Sequence, residues 1–255
     1  MNDNIWAITK LNLRNIKPAY LVSGICVALM VVQLLVPTVA YLGFHASWAQ
    51  NGTRVFDAGT GTWVTSVSSS TISLSWYTWL LVWLAAVWTA GQNYGCILRL
   101  GGKRMGFLRG AAATYVLLAA AGALIVTVWY YALDRPLNNF AVLGGFMAPP
   151  NVFGWAVHGP VMVFVEQFAV LLLLAAVIHT FKAALARHWY GYAAVAVLIA
   201  LIVVFSSITP LRHVEGRFFT ALLFGGNPAL QIILCLVLAA AIYALSKPIL
   251  DRTPV

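Results

Sequence analysis

One carboxylate, Glu166, stands inside an otherwise apolar stretch at 158–180, with the amide Gln167 beside it. An ionisable group in hydrocarbon is costly, and by default it marks a substrate path, an interface or a polar partner across a helix bundle. The pair therefore lines a translocation path or a subunit interface, or else it hydrogen-bonds a Ser, Thr or Tyr of an adjacent helix as a structural contact. Gln33, Asn227 and Gln231 raise the same question more weakly. A second concentration of chemistry runs from Asn93 to Gly110, where Arg99, Lys103, Arg104 and Arg109 surround Phe107 and Leu108. Arg99 and Lys103 stand i to i+4, as on one helical turn, and Gly101-Gly102 mark a break before a second turn enters the next apolar stretch. A compact basic and partly apolar helix of this kind can grip a soluble partner, with Phe107 and Leu108 anchoring in a cleft while the cations orient them. The simpler alternative is a basic loop that only fixes topology.

Other chemistry is absent from the sequence. It has no G-x-x-x-x-G-K-[ST], so it lacks the loop that cradles nucleotide phosphates. It has no G-x-S-x-G, no H-E-x-x-H and no paired membrane aspartates, which argues against hydrolysis. Histidines at 45, 158, 179, 188 and 213 do not pair on one face at one depth, so they read as interface residues rather than haem or metal ligands. Cys26, Cys96 and Cys235 each stand alone and read as buried structural thiols. The expectation is a non-enzyme with no metal or cofactor of its own.

The elements that must position these residues are membrane helices. The chain of 255 residues is 62% hydrophobic and 8% charged, with a mean hydropathy of +0.89, against about 25% charged in a soluble domain. Long apolar stretches at 20–42, 75–92, 111–133, 158–180, 190–208 and 227–246 match the thickness of a bilayer. The formal charge of +9 then reports membrane sidedness rather than nucleic-acid binding. With the N-terminus inside, eleven of the fifteen Lys and Arg fall on the cytoplasmic side, which places both termini there in a plasma-membrane protein. Trp and Tyr cluster near span ends, at 76–79, 129–131 and 189–192, as an interfacial belt. No cleavable signal pattern precedes the first span.

Residues 4–17 read as an amphipathic helix lying on the inner leaflet. Lys10, Arg14 and Lys17 share one arc, facing headgroups or a partner, Ile5, Ile8, Leu13 and Ile16 spread over the other side, and Pro18 ends the run. The outer loop 43–74 shows extended-type alternation from Trp63 to Leu74, and its Asn51-Gly52-Thr53 sequon is assigned no role. The outer segment 134–157 reads as a turn-rich cap. In the outer segment 209–226, Pro210 and Gly225-Gly226-Asn227-Pro228 bracket an apolar run too short to cross, which suits a re-entrant piece before the last span. The expected fold is one all-α transmembrane domain over 1–255, with six spans, an interfacial helix and that re-entrant segment.

The pattern Gly101-x-x-Arg104-x-x-Phe107-x-x-Gly110, placed between a second and a third span, resembles the inner loop of the type-two ABC exporter permeases. The plan of interfacial helix, six spans and late re-entrant segment is similar as well. The resemblance implies a permease dimer, of two copies or of two related chains. Residues 93–110 would form a coupling loop that seats Arg99, Gly101, Lys103, Arg104, Phe107 and Gly110 against a separate ABC ATP-binding subunit. ATP and Mg would belong to that partner, and the cargo would be hydrophobic or amphipathic, such as a peptide, antibiotic or lipid. Gly102-Lys103 departs from the more polar character usual before the arginine. Two other classes remain: the membrane subunit of a vitamin importer, which would need a compact polar pocket near the outer face, and a non-transport anchor or electron carrier, which would need paired histidines.

Overall fold

The structure is a computed structural model that describes residues 5–44, 53–57, 62–66, 74–134, 159–185 and 227–251, with single positions at 193, 196, 197, 200 and 217. The expected fifth span at 190–208 (those single positions aside), the re-entrant piece at 209–226, the Asn51 sequon and the outer cap beyond Asp134 lie outside the described residues.

Helices dominate. They are α1 (Ile5–Asn15), α2 (Lys17–Phe44), α3 (Leu74–Trp88), α4 (Tyr94–Arg99), α5 (Arg104–Trp129), α6 (Pro160–Leu185) and α7 (Pro228–Asp251). Five-residue π-turns, Thr89–Asn93 and Tyr130–Asp134, follow α3 and α5. Among the described residues three helices are long and apolar enough to cross a membrane: Arg104–Ala132, Pro160–Leu185 and Pro228–Asp251. At a rise of about 1.5 Å per residue, even the shortest of them exceeds a hydrocarbon core of about 30 Å. A small antiparallel hairpin, β1 (Thr53–Asp57) and β2 (Thr62–Ser66), pairs Val55 with Val64 between α2 and α3. Of the stretch expected to be extended, Trp63–Ser66 lies in β2 and Leu74 opens α3, while 67–73 lie outside the described residues.

Helix ends follow local chemistry. At the start of α7, Asn227 Oδ1 accepts from the backbone N–H of Ala229 (3.1 Å) and Leu230 (3.4 Å), and Pro228 takes the first helical position, where no N–H is needed. The break between α1 and α2 falls at Ile16. Pro18 opens α2 rather than closing α1, since its ring fits the first turn of a helix and not its interior.

Helix α6 is the hub, packing along α7 and against α5 and α3. The main core joins Ile8 and Ile16 of the N-terminal segment to Val82, Ala86, Ile97, Phe107, Ala119, Leu171 and Ala183. A smaller cluster gathers Val163, Ala169, Val170 and Cys235 at the other end of α6 and α7. Small residues set the helix spacing. A methyl on Gly122 of α5 would lie 3.2 Å from Leu171 Cδ1 of α6, tighter than normal contact.

Candidate partner-docking surface and the buried carboxylate

The loop between α3 and α5 is built by two glycines that end α4. Gly101 N–H donates to Leu98 O (3.0 Å) and Gly102 N–H donates to Ile97 O (2.9 Å). Gly101 has φ +78, so the turn is a Schellman C-cap with its left-handed residue at glycine. Gly102 is required for space, because a Cβ there would sit 2.6 Å from Ile97 Cγ2 and 2.9 Å from Ile97 O. This corrects the expectation that Arg99 and Lys103 share a helical turn. Arg99 closes α4, and Lys103 is the extended residue before α5, with φ −78 and ψ 145.

The turn presents Arg99, Gly101, Lys103 and Arg109 at the surface with two apolar side chains, Leu100 (55% exposed) and Met105 (41% exposed). Arg104 is half-buried and donates to the backbone carbonyl of Asp251 at the end of α7. Phe107 and Leu108, expected as the anchors for a partner, instead face inward, with Phe107 0% exposed. Phe107 meets Tyr94 edge-on at a ring-centroid distance of 5.1 Å and stacks on His179 at 6.1 Å. The first turn of α5 packs under α1 and against α6, so its i+3 position points into the bundle. The exposed apolar pair is Leu100 and Met105, which sequence reasoning passed over because the turn geometry had to be known before their outward direction could be.

Below this turn lies a buried polar network. Asn15 Nδ2 donates to Asn93 Oδ1 (3.3 Å), Asn93 Nδ2 to Asn12 Oδ1 (3.1 Å), Asn12 Nδ2 to Thr114 Oγ1 (3.3 Å), and Thr114 Oγ1 to Gly110 O (2.8 Å). Thr9 Oγ1 lies 2.8 Å from Ile5 O and 3.3 Å from Gly110 O. Gly110 is a packing glycine, since its missing Cβ would stand 2.4 Å from Ile8 Cγ2. Helix α1 therefore buries Ile8, Thr9 and Asn12 against α5 and turns Trp6, Lys10 and Arg14 outward, with Lys17 exposed at the start of α2. The π-turn Thr89–Asn93 supplies Asn93, and the extra residue of a π-turn re-aims the face of a helix, often at functional sites.

An aromatic group ties the turn to the bundle. Tyr115 Oη and His179 Nδ1 are 2.7 Å apart, Tyr243 Oη donates to Leu108 O (2.7 Å), and Tyr94 Oη donates to Leu250 O (3.0 Å). The Tyr94 phenol is pushed above its usual range by burial, with Arg104 opposing and Asp251 adding, so it serves as a neutral donor. His179, expected at the membrane interface, is fully buried instead; nothing in its sequence neighbourhood announces the tyrosines that receive it. Cys235 is buried as expected, but Cys96 is exposed at the turn and Cys26 half-buried, so they are not all core thiols. Among the described residues no group of three or more His, Cys, Asp and Glu converges as a metal site.

At the far end of α6, Glu166 is 1% exposed, and neither carboxylate oxygen has a hydrogen-bond partner among the described residues. Gln167 and, on α7, Gln231 are buried with it. Glu166 lies one turn from Val163 and one turn from Val170, on the face of α6 that carries the smaller cluster. The turn around Gly101 and the buried carboxylate thus occupy opposite ends of α6 and its neighbours. No protein-family model, characterised protein or solved structure matches the chain.

Proposed function

We propose that this chain is the permease subunit of an ATP-driven exporter, carrying a hydrophobic or amphipathic cargo across the plasma membrane while a separate ABC ATP-binding subunit hydrolyses ATP. One observation supports it above the others: an exposed turn carrying Arg99, Leu100, Lys103 and Met105, fixed from behind by a hydrogen-bonded network and an aromatic cluster. A docking surface needs apolar anchors, cations to orient the partner, and rigid support to transmit force. The six-span topology with both termini cytoplasmic, the re-entrant segment and pairing with a second permease belong to the same reading. Glu166 and Gln167 sit at the far end of α6, where a path leading away from the partner would pass.

The test is co-purification from native membranes. Wild-type chain should bring down an ATPase subunit, and Arg99→Glu combined with Met105→Glu should lose it while the chain stays folded in detergent. Undiminished recovery of the ATPase with the double variant would refute the docking surface.

A further inference from the structure

A crevice of about 190 Å³ opens between the three membrane-capable helices, lined by Ala112, Tyr115 and Val116 of α5, Leu172 and Ala176 of α6, and Leu236, Ala239, Ala240 and Tyr243 of α7. Alanines on all three helices leave the space. The hydroxyls of its two tyrosines are already hydrogen-bonded within the protein, Tyr115 Oη with His179 Nδ1 and Tyr243 Oη to Leu108 O, so the lining is mainly apolar. A dry apolar cavity of about 150 Å³ accepts a benzene-sized ligand, so this one takes a segment of hydrocarbon chain and is too narrow for a helix.

The helix faces that line the crevice continue into cations. On α5, Arg109 lies three residues before Ala112 and seven before Val116, hence on the same face one turn closer to the docking turn. On α7, Lys247 lies four residues after Tyr243 and seven after Ala240, again on the lining face. The two bonds from Arg104 to Asp251 O and from Tyr243 to Leu108 O hold α5 and α7 antiparallel in a register that brings these cations to the same mouth. Both are exposed. Arg104 is also there, and Asp251 is the one acid at this end among the described residues; Lys182 of α6 leans away, its Cε 3.3 Å from where a Gly91 Cβ would be.

We infer that this is a binding site for an anionic phospholipid of the leaflet that borders the docking turn, with one acyl chain in the crevice and the headgroup phosphate between Arg109 and Lys247. Basic pockets between membrane helices recognise anionic headgroups in this way. The site stands independently of the transport reading and needs only that α5, α6 and α7 cross a bilayer. Because Tyr243 both walls the crevice and holds Leu108 O, a bound lipid braces the docking turn from the membrane side.

The experiment reconstitutes the full chain in phosphatidylcholine vesicles containing a trace of phosphatidylglycerol with a mid-chain diazirine, irradiates, and maps adducts by peptide mass spectrometry. Adducts should concentrate within 112–116 and 236–243, and Ala240→Phe, which plugs the crevice, should remove them. Arg109→Gln with Lys247→Gln should cut crevice labelling by the phosphatidylglycerol probe roughly 30-fold, from two surface cations. A phosphatidylcholine probe carrying the same diazirine should label wild type and double variant alike. Both substituted side chains are exposed, so the double variant folds, and unchanged gel-filtration elution checks it. Adducts spread evenly over the outward faces of the helices would overturn the proposal. So would undiminished phosphatidylglycerol labelling of the double variant, or chain-to-chain cross-links at the crevice, which would give it to a second copy.

Discussion

Phe107 and Met105 are two residues apart and have opposite jobs. Phe107 is enclosed by Tyr94 and His179, so Phe107→Ala leaves a cavity and should cost about 3–5 kcal/mol, read as a lowered melting point in detergent. Met105 points outward, so Met105→Glu alone should leave that melting point in place. Equal losses for the two would contradict the geometry. Glu166 makes a different case. A buried carboxylate with no hydrogen-bond partner among the described residues is destabilising, and replacement by an apolar side chain removes a desolvation penalty of about 1–3 kcal/mol. Glu166→Leu should accordingly raise thermal stability, and on the permease reading it should also abolish transport, while Glu166→Gln should lower transport with ATPase assembly intact. Full transport by the Gln variant would return the residue to a packing role.

Among the elements, α1 is the one whose place is set most by single atoms. Its contact with α5 depends on the absence of a side chain at Gly110 and on the Asn12–Asn93 and Asn12–Thr114 hydrogen bonds. Gly110→Val would drive Cβ into Ile8 and should cost about 1–3 kcal/mol of local stability by overpacking. A cysteine placed at Thr9, buried in the wild type, should then react with a water-soluble maleimide several-fold faster than in the Gly110 background. No change in that rate would mean that α1 is held from elsewhere. The two amphipathic arcs expected for this helix are present only in part. Lys10, Arg14 and Lys17 do face outward, but the buried arc includes Thr9 and Asn12 besides Ile8 and Ile16. The reason is that the surface opposite α1 is another helix with polar atoms of its own rather than lipid.

At the scale of the molecule, three helices among the described residues carry the length and apolarity of membrane spans. The topology reading predicts that single cysteines at Lys103 and Lys247 react with a membrane-impermeant maleimide only in inside-out vesicles, and one at Arg54 only in right-side-out cells. Labelling of positions 103 and 247 from opposite sides would break the six-span plan. Within the described bundle, α6 connects the two ends: His179 takes part in the aromatic group below the Gly101 turn, and Glu166 lies at the other end of the same helix.

The residue order alone did not place the start of α5, which lies at Arg104 rather than at 111. It did mark long apolar stretches as membrane-capable, three of which are helices of that length among the described residues, put a glycine break between the second and third stretches, and singled out Glu166 as an ionisable group in an apolar run. Those conclusions rest on local quantities: run length, apolarity, charge and the special backbone freedom of glycine. Tertiary structure decided which way side chains in the loop point, sending Phe107 inward and Leu100 and Met105 outward. It also gathered Asn12, Asn93 and Thr114 into one network, and joined Tyr243 of α7 to Leu108 of α5. Pairings of that kind join residues about 80 to 140 positions apart, set by helix register and crossing, and no short-range pattern in the chain encodes them.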